Sequence, residues 1–178
     1  VTRAIRRKNL GELLLWAAAH GGKARFGVSR APANPEARPV YDRWVELAGE
    51  LDLSVAFEVG KRADSLPELI GRSRRLVTTS VAEGFGLAFL EPWAAGRGLV
   101  GRVLPEIVED TRAAGVNLDG LYERLSVPTA WVGEGDLRDR IDTALRRTRS
   151  AYGRDTDSLA VARVLEEMAP HGRVDFGR

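Results

Sequence analysis

Two glutamates lie close together in a segment with the pattern of a strand, a turn and a helix. Glu83 falls in a turn that contains Gly84 and Gly86, and Glu91 follows on the expected helix. Glycines let the main chain approach a ligand, and the free N–H groups at a helix start favour an anion such as a diphosphate. Ionised carboxylates accept hydrogen bonds from hydroxyl groups, such as those of a ribose or a sugar ring. The segment therefore predicts a site for a nucleoside diphosphate sugar.

Basic residues near the start of the chain could reach the same anion. Arg3 lies on a predicted first strand, residues 1–5, and Lys8 lies between this strand and a predicted helix that begins at Leu10. Basic side chains at the carboxyl end of a first strand can converge on a ligand held by a later helix of the same sheet. We expect Arg6 and Arg7, in the same stretch, to be surface residues.

The motif resembles the E-x7-E motif of retaining GT-B glycosyltransferases, which Glu83-Gly84-Phe85-Gly86 and Glu91 match in this sequence. The resemblance implies that Glu83 holds hydroxyls of the donor sugar and that Glu91 holds the ribose. It also implies that the N–H groups of Phe85, Gly86 and Leu87 face the sugar and the diphosphate.

Two further features match the pattern of that family. Arg3 and Lys8 have the spacing of its Arg-x4-Lys pair, which neutralises the diphosphate. The loop that starts at Val59 corresponds to one that passes close to the nucleobase, usually through main-chain groups. Pro92 departs from the pattern, because it follows Glu91 inside the expected helix and removes one hydrogen bond there. We expect the helix either to kink or to restart at this proline.

The order of apolar segments predicts an α/β fold. Helical segments alternate with strands predicted at residues 1–5, 24–29, 54–59, 76–78, 99–102 and 128–132. Such alternation favours a Rossmann-like, doubly wound parallel sheet of about six strands with helices on both faces, that is, one half of a GT-B fold. Residues 118–122 are predicted as a helical turn, and residues 136–152 and 155–168 as the last two helices.

Local patterns add details to this prediction. Asn9 and Glu12 have the form of a capping box at the start of the first helix, and Ser65 is predicted to cap a later, shorter helix. The helical spacing of their neighbours predicts that Trp16, Trp44 and Trp131 belong to the core.

Composition excludes several classes of protein. The 178 residues are 44% hydrophobic and fit one domain that spans the whole chain. The absence of cysteine excludes disulfides and thiolate chemistry, and two histidines make a metal site improbable. We therefore expect neither a metal nor a cofactor. The net charge is only +2, with arginines interleaved among acidic residues, which argues against nucleic acid as a partner.

The sequence has no run of about 18 apolar residues, which a transmembrane helix would need, and no secretory leader. These features favour a cytoplasmic location. The first residue is Val1 and lies on a predicted strand, so we expect that the chain continued upstream.

The resemblance covers about residues 1–109 and implies the C-terminal, donor-binding half of a retaining glycosyltransferase that needs no metal. The acceptor would bind to an N-terminal Rossmann-like domain, so we expect this chain alone to bind the donor without catalysing transfer. The surface left by an absent partner domain could also drive dimers. Two alternatives remain open: a non-catalytic nucleotide-sugar binding module, and a GT-B-like epimerase or phosphorylase.

Overall fold

The computed structural model describes residues 6–84 and 86–175. By compactness the chain divides into two units, with the boundary between Glu123 and Arg124. In the described ranges, no helix combines the length and the apolar character that crossing a bilayer requires.

The first unit alternates helices with short strands. Its helices are α1 (Leu10–His20), α2 (Arg38–Glu50), α3 (Leu66–Gly71), α4 (Leu87–Ala94) and α5 (Pro105–Ala113). Its strands are β1 (Phe26–Gly27), β2 (Val55–Ala56), β3 (Arg75–Thr78), β4 (Gly98–Arg102) and β5 (Leu121–Tyr122). Short 3-10 turns occupy Arg6–Lys8, Pro35–Ala37 and Val59–Arg62.

The strands of the first unit pair in parallel, as α/β architecture requires. β1 pairs with β2, with Phe26 opposite Val55. A second sheet has the order β3-β4-β5, with Leu76 opposite Leu99. The α/β class and the second to fifth predicted strands are therefore confirmed, although β1 and β2 have only two residues each. The predicted first strand lies outside the described residues.

The segment predicted as a helical turn, residues 118–122, contains a strand instead. Its last two residues form β5, which pairs with β4 at Gly101 and Arg102. The reason is close main-chain contact, because a Cβ atom on Gly120 would lie 2.6 Å from the carbonyl oxygen of Leu99. Glycine at this position lets the segment lie against β4 rather than coil.

The second unit contains the last predicted strand, residues 128–132, and most of that segment is helical. Strand β6 (Ser126–Pro128) ends where the prediction begins, and helix α6 (Thr129–Val132) follows it. The β-branched residues Thr129 and Val132 favour a strand in isolation. Pro128 instead leads the chain into a helical turn, and β6 pairs antiparallel with β7 (Arg173–Asp175).

Two longer helices complete the second unit. α7 (Glu134–Ser150) and α8 (Ser158–Met168) match the two predicted terminal helices to within a few residues. The side chain of Asp157 caps α8 by accepting a hydrogen bond from the Ala160 N–H at 2.6 Å. Leu137, Ile141 and Val161 form the core of this unit. Trp131, predicted as a core residue, is 80% exposed, so that prediction was wrong.

Two buried clusters stabilise the first unit. One joins Leu10, Leu13 and Ala17 of α1 to Phe26, Val28 and Tyr41, with Trp16 and Trp44 partly buried against it. The other contains Phe89, Val103, Leu104, Val108, Val116 and Leu118. Ser65 caps α3 as predicted, since its hydroxyl accepts a hydrogen bond from the Glu68 N–H at 3.3 Å.

Candidate functional site

The structure brings Lys8 and Glu83 into direct contact. Their side chains form an ion pair and are only 15% and 8% exposed. Lys8 lies two residues before the start of α1, and Glu83 follows β3 by five residues. Two groups that are 75 positions apart in the sequence thus meet at the carboxyl end of β3.

Main-chain contacts hold the segment that carries Lys8. The Arg7 carbonyl accepts a hydrogen bond from the Val81 N–H at 2.8 Å. The Lys8 carbonyl accepts one from the Thr79 hydroxyl, also at 2.8 Å. Thr79 and Ser80 are themselves buried, whereas Arg7 is exposed. The chain before α1 therefore runs beside the segment that leaves β3.

The environment of Glu83 keeps it ionised. Burial raises the pKa of its carboxyl, but hydrogen bonds from Lys8 and Ser80 and the charges of Lys8 and Arg7 lower it. The lowering contributions prevail, so the pKa lies below the ordinary value of a glutamate. Glu83 is a carboxylate at neutral pH and can only accept hydrogen bonds.

Helix α4 begins beside this pair. Gly86 precedes it with φ +68°, and a Cβ atom there would lie 2.5 Å from a methyl carbon of Ile107. The Phe89 N–H donates to the Gly86 carbonyl at 2.9 Å, and no described main-chain carbonyl accepts from Leu87 or Ala88. These two N–H groups carry the positive end of the helix dipole. Gly84 and the Leu87 side chain are exposed.

Pro92 neither ends nor restarts this helix. α4 is continuous from Leu87 to Ala94 with Pro92 inside it, so the expected restart of the helix at this proline was wrong. Pro92 is buried, and the Ala95 N–H donates to the Glu91 carbonyl at 3.1 Å. Packing of the ring compensates for the hydrogen bond that proline cannot make.

Glu91 and Lys8 border the same cleft. This cleft has a volume of about 870 Å³ and lies between β1 and β3, with Phe26 and Gly27 on one side and Leu76 and Val77 on the other. Glu91 is exposed to solvent. Glu83, Gly84, Gly86 and Leu87 are not among its lining residues, so the cleft reaches the motif through Lys8, Ala88 and Glu91.

Val59 lies on the same cleft and is fixed by main-chain contacts. Its N–H donates to the Val28 carbonyl at 3.0 Å, and the Gly60 N–H donates to the Ser29 carbonyl at 2.9 Å. A Cβ atom on Gly60 would lie 2.7 Å from that Ser29 oxygen. The loop therefore presents main-chain groups in a defined position. The remaining predicted site residues, Arg3 and Phe85, lie outside the described residues.

Sequence reasoning missed a buried polar network next to this site. Glu12 and Arg102 are 0% and 1% exposed and form an ion pair, with Arg102 Nη2 donating to Glu12 Oε2 at 2.7 Å. The Tyr122 hydroxyl donates to Glu12 Oε1 at 2.6 Å, and Trp16 Nε1 donates to the Tyr122 oxygen at 2.7 Å. Burial and then the hydrogen bond to Glu12 raise the pKa of Tyr122.

This network overturns the predicted capping box. Asn9 precedes α1 with φ +47° and makes no side-chain cap, and the Glu12 carboxylate turns into the protein interior. A buried guanidinium needs a negatively charged partner. Glu12 therefore pairs with Arg102 in the interior instead of bonding to the main chain at the start of α1. The sequence signal was Arg102 itself, a charge at the end of an apolar strand, but the pattern could not identify its partner.

The residues in the described ranges contain no group of three histidine, cysteine or acidic side chains placed to hold a metal ion. Comparison of the chain with models of known protein families, with curated proteins and with solved structures gave no match. The function of the chain is therefore inferred from the geometry of the site.

Proposed function

We propose that this chain is the donor-binding domain of a retaining glycosyltransferase that uses a nucleoside diphosphate sugar. The observation that carries the proposal is the contact between Lys8 and Glu83 beside the start of α4, together with the cleft that Lys8 and Glu91 both border. This combination supplies a cation, helix N–H groups and two carboxylates. They match the diphosphate, the ribose and the sugar hydroxyls of such a donor.

Lys8 would stabilise the diphosphate leaving group. An ammonium group has three donors, so Lys8 can contact Glu83 and still donate to a phosphate oxygen. The N–H groups of Leu87 and Ala88 add the positive end of the helix dipole. As the glycosidic bond breaks, negative charge builds on the diphosphate, and each fixed donor of this kind contributes about 3 kcal/mol of barrier lowering. Arg3 and the Phe85 N–H would complete the set, without a metal.

The two carboxylates would have different roles. Glu83 is ionised and held in place by Lys8, so it suits hydroxyls of the donor sugar beside the reacting bond. Glu91 is exposed at the cleft and suits the ribose diol, while the loop at Val59 would contact the base through main-chain groups.

We also propose that the two sheets of the first unit belong to one doubly wound parallel sheet. Among the described residues β3 pairs with β4 on one edge only, and the Arg7 carbonyl accepts from the Val81 N–H just beyond the end of β3. The cleft lies along the other edge of β3, with β1 on its far side.

An acceptor-binding domain would supply the rest of the active site, as in the GT-B enzymes that the motif resembles, and the reaction would take place in the cytoplasm. The chain alone would then bind the donor without catalysing transfer. A non-catalytic binding module would share this behaviour, but it would stay inactive when joined to an acceptor domain. An assay of glycosyl transfer, after the chain is joined to an acceptor domain, therefore distinguishes these two functions.

The test is a calorimetric titration of the chain with UDP, GDP and ADP. We expect one of them to bind, and Lys8→Ala to weaken its binding about tenfold or more, because a charge-assisted hydrogen bond contributes about 1.5–3 kcal/mol. The control is Arg6→Ala, which removes a neighbouring exposed charge. Equal losses in both variants would show only general charge attraction, and the absence of binding by all three nucleotides would contradict the proposal.

A further inference from the structure

We propose that Glu12 is a positioning residue that fixes Lys8 opposite Glu83. It does so through Asn9 on one side and through Arg102 and Tyr122 on the other. The catalytic importance of this positioning rests on the proposed function, whereas the positioning itself depends only on contacts among the described residues.

The link to Lys8 is short and direct. Asn9 is the only residue between Lys8 and α1, and its Nδ2 donates to Glu12 Oε2 at 2.8 Å. Its φ of +47° is a left-handed conformation that turns the chain sharply between the two. Asparagine adopts this conformation more readily than most residues. The direction in which Lys8 leaves the main chain therefore depends on where Asn9 is held.

The other side of the network anchors Glu12 to the sheet. Arg102 is the last residue of β4, and its Nε donates to Glu12 Oε2 at 3.1 Å in addition to the Nη2 bond. Tyr122 is the last residue of β5 and donates to Glu12 Oε1. Arg102 Nη1 also donates to the Glu123 carbonyl at 3.1 Å. Two adjacent strand ends thus fix one carboxylate on the first turn of α1.

Stability alone does not account for this arrangement. Taking two charges out of water is costly, and apolar residues of similar volume often replace a buried ion pair without loss of stability. The carboxylate of Glu12 accepts from three different side chains, so its position is restrained in several directions. Directional bonds of this kind restrain geometry more than apolar packing does.

The test compares folded variants by the titration of Glu83, followed by carbon-13 NMR of its carboxyl group. Asn9→Gly keeps the positive φ but removes the link to Glu12. The double variant Glu12→Gln with Arg102→Met removes both buried charges. Ile70→Val is the control, because it lowers stability in a buried position that is not part of the network. Inorganic diphosphate serves as the binding probe.

We expect the pKa of Glu83 to rise toward the ordinary value of a glutamate in Asn9→Gly and in the double variant, and to stay unchanged in Ile70→Val. We also expect diphosphate to bind about tenfold more weakly to the first two. An unchanged Glu83 pKa in Asn9→Gly, or in the double variant where it folds, would overturn the positioning role. A wild-type chain that fails to bind diphosphate would contradict the proposed function, while the Glu83 titration would still decide the positioning.

Discussion

At the scale of single residues, Glu83 combines burial with a cationic partner. The two influences oppose each other, because burial disfavours its charge while Lys8, Ser80 and Arg7 favour it. The outcome is a carboxylate whose proton affinity is lowered by groups on a different segment of the chain. A residue of this kind couples the folding of the site to pH.

The stability of the protein should therefore depend on Glu83 in acid. Because the pKa of the folded state lies below the unfolded value, the contribution of Glu83 is complete above the unfolded pKa, about 4.3. It is lost as the pH falls through the lower pKa of the folded state. Urea unfolding measured at several pH values below about 5 should show a weaker pH dependence for Glu83→Gln than for the wild type. Identical pH dependences would show that Lys8 does not stabilise the ionised form.

At the scale of elements, glycines decide how closely the strands of the β3-β4-β5 sheet approach one another. Gly101 lies opposite Thr78 in the register of β3 and β4. It has φ +117°, a conformation that side chains rarely adopt, and a Cβ atom there would lie 2.0 Å from the Thr78 carbonyl oxygen. The Gly101 N–H also donates to the Gly120 carbonyl at 3.3 Å. One residue thus controls both pairings of β4.

Gly101→Ala should lower the free energy of unfolding by more than about 2 kcal/mol, because it adds backbone strain and a collision with a main-chain oxygen. The matched control is Gly49→Ala in α2, where a Cβ atom meets nothing within 4 Å. This second change should be neutral or stabilise the protein by up to about 1 kcal/mol, because alanine favours a helix over glycine. Urea unfolding of both variants makes the comparison, and similar losses in the two would contradict this account of β4.

The buried ion pair of Glu12 and Arg102 predicts that one substitution destabilises the protein and that a second one partly restores its stability. Arg102→Met alone leaves Glu12 charged and buried, so the free energy of unfolding should fall by about 3–5 kcal/mol. Adding Glu12→Gln should restore part of this loss, because no unpaired charge remains. A double-mutant cycle by urea unfolding measures the coupling. Additive losses would mean that the two side chains do not interact in solution as they do in the structure.

At the scale of the whole molecule, the alternation of apolar segments correctly predicted the α/β class, the strands β1 to β4 and the terminal helices. It could not predict β5, since the approach of Gly120 to β4 depends on two segments far apart in the chain. The same limit applies to α6, where Pro128 ends a strand that Thr129 and Val132 favoured locally.

Side-chain partners were harder to predict than elements. The motif indicated Lys8 and Glu83 as members of one site, and the structure joins them, but their ion pair was not predicted. The capping box predicted a local role for Glu12 beside Asn9, but its carboxylate forms an ion pair with the distant Arg102. Helical spacing placed Trp131 in the core, although its helix has only four residues and leaves the side chain 80% exposed. Local patterns give the period of a segment but do not show which distant surface covers it.

The most direct measurement for the central claim compares a nucleoside diphosphate with its 2′,3′-dideoxy analogue, using whichever of UDP, GDP and ADP binds best. If Glu91 holds the ribose, the wild type should prefer the natural nucleotide about tenfold or more, through hydrogen bonds to a charged acceptor. Glu91→Ala should lose this preference, while Glu109→Ala, which removes another exposed acid, should keep it. A wild type that binds both nucleotides equally, or a preference that survives in Glu91→Ala, would contradict the assignment of this cleft to a nucleotide sugar.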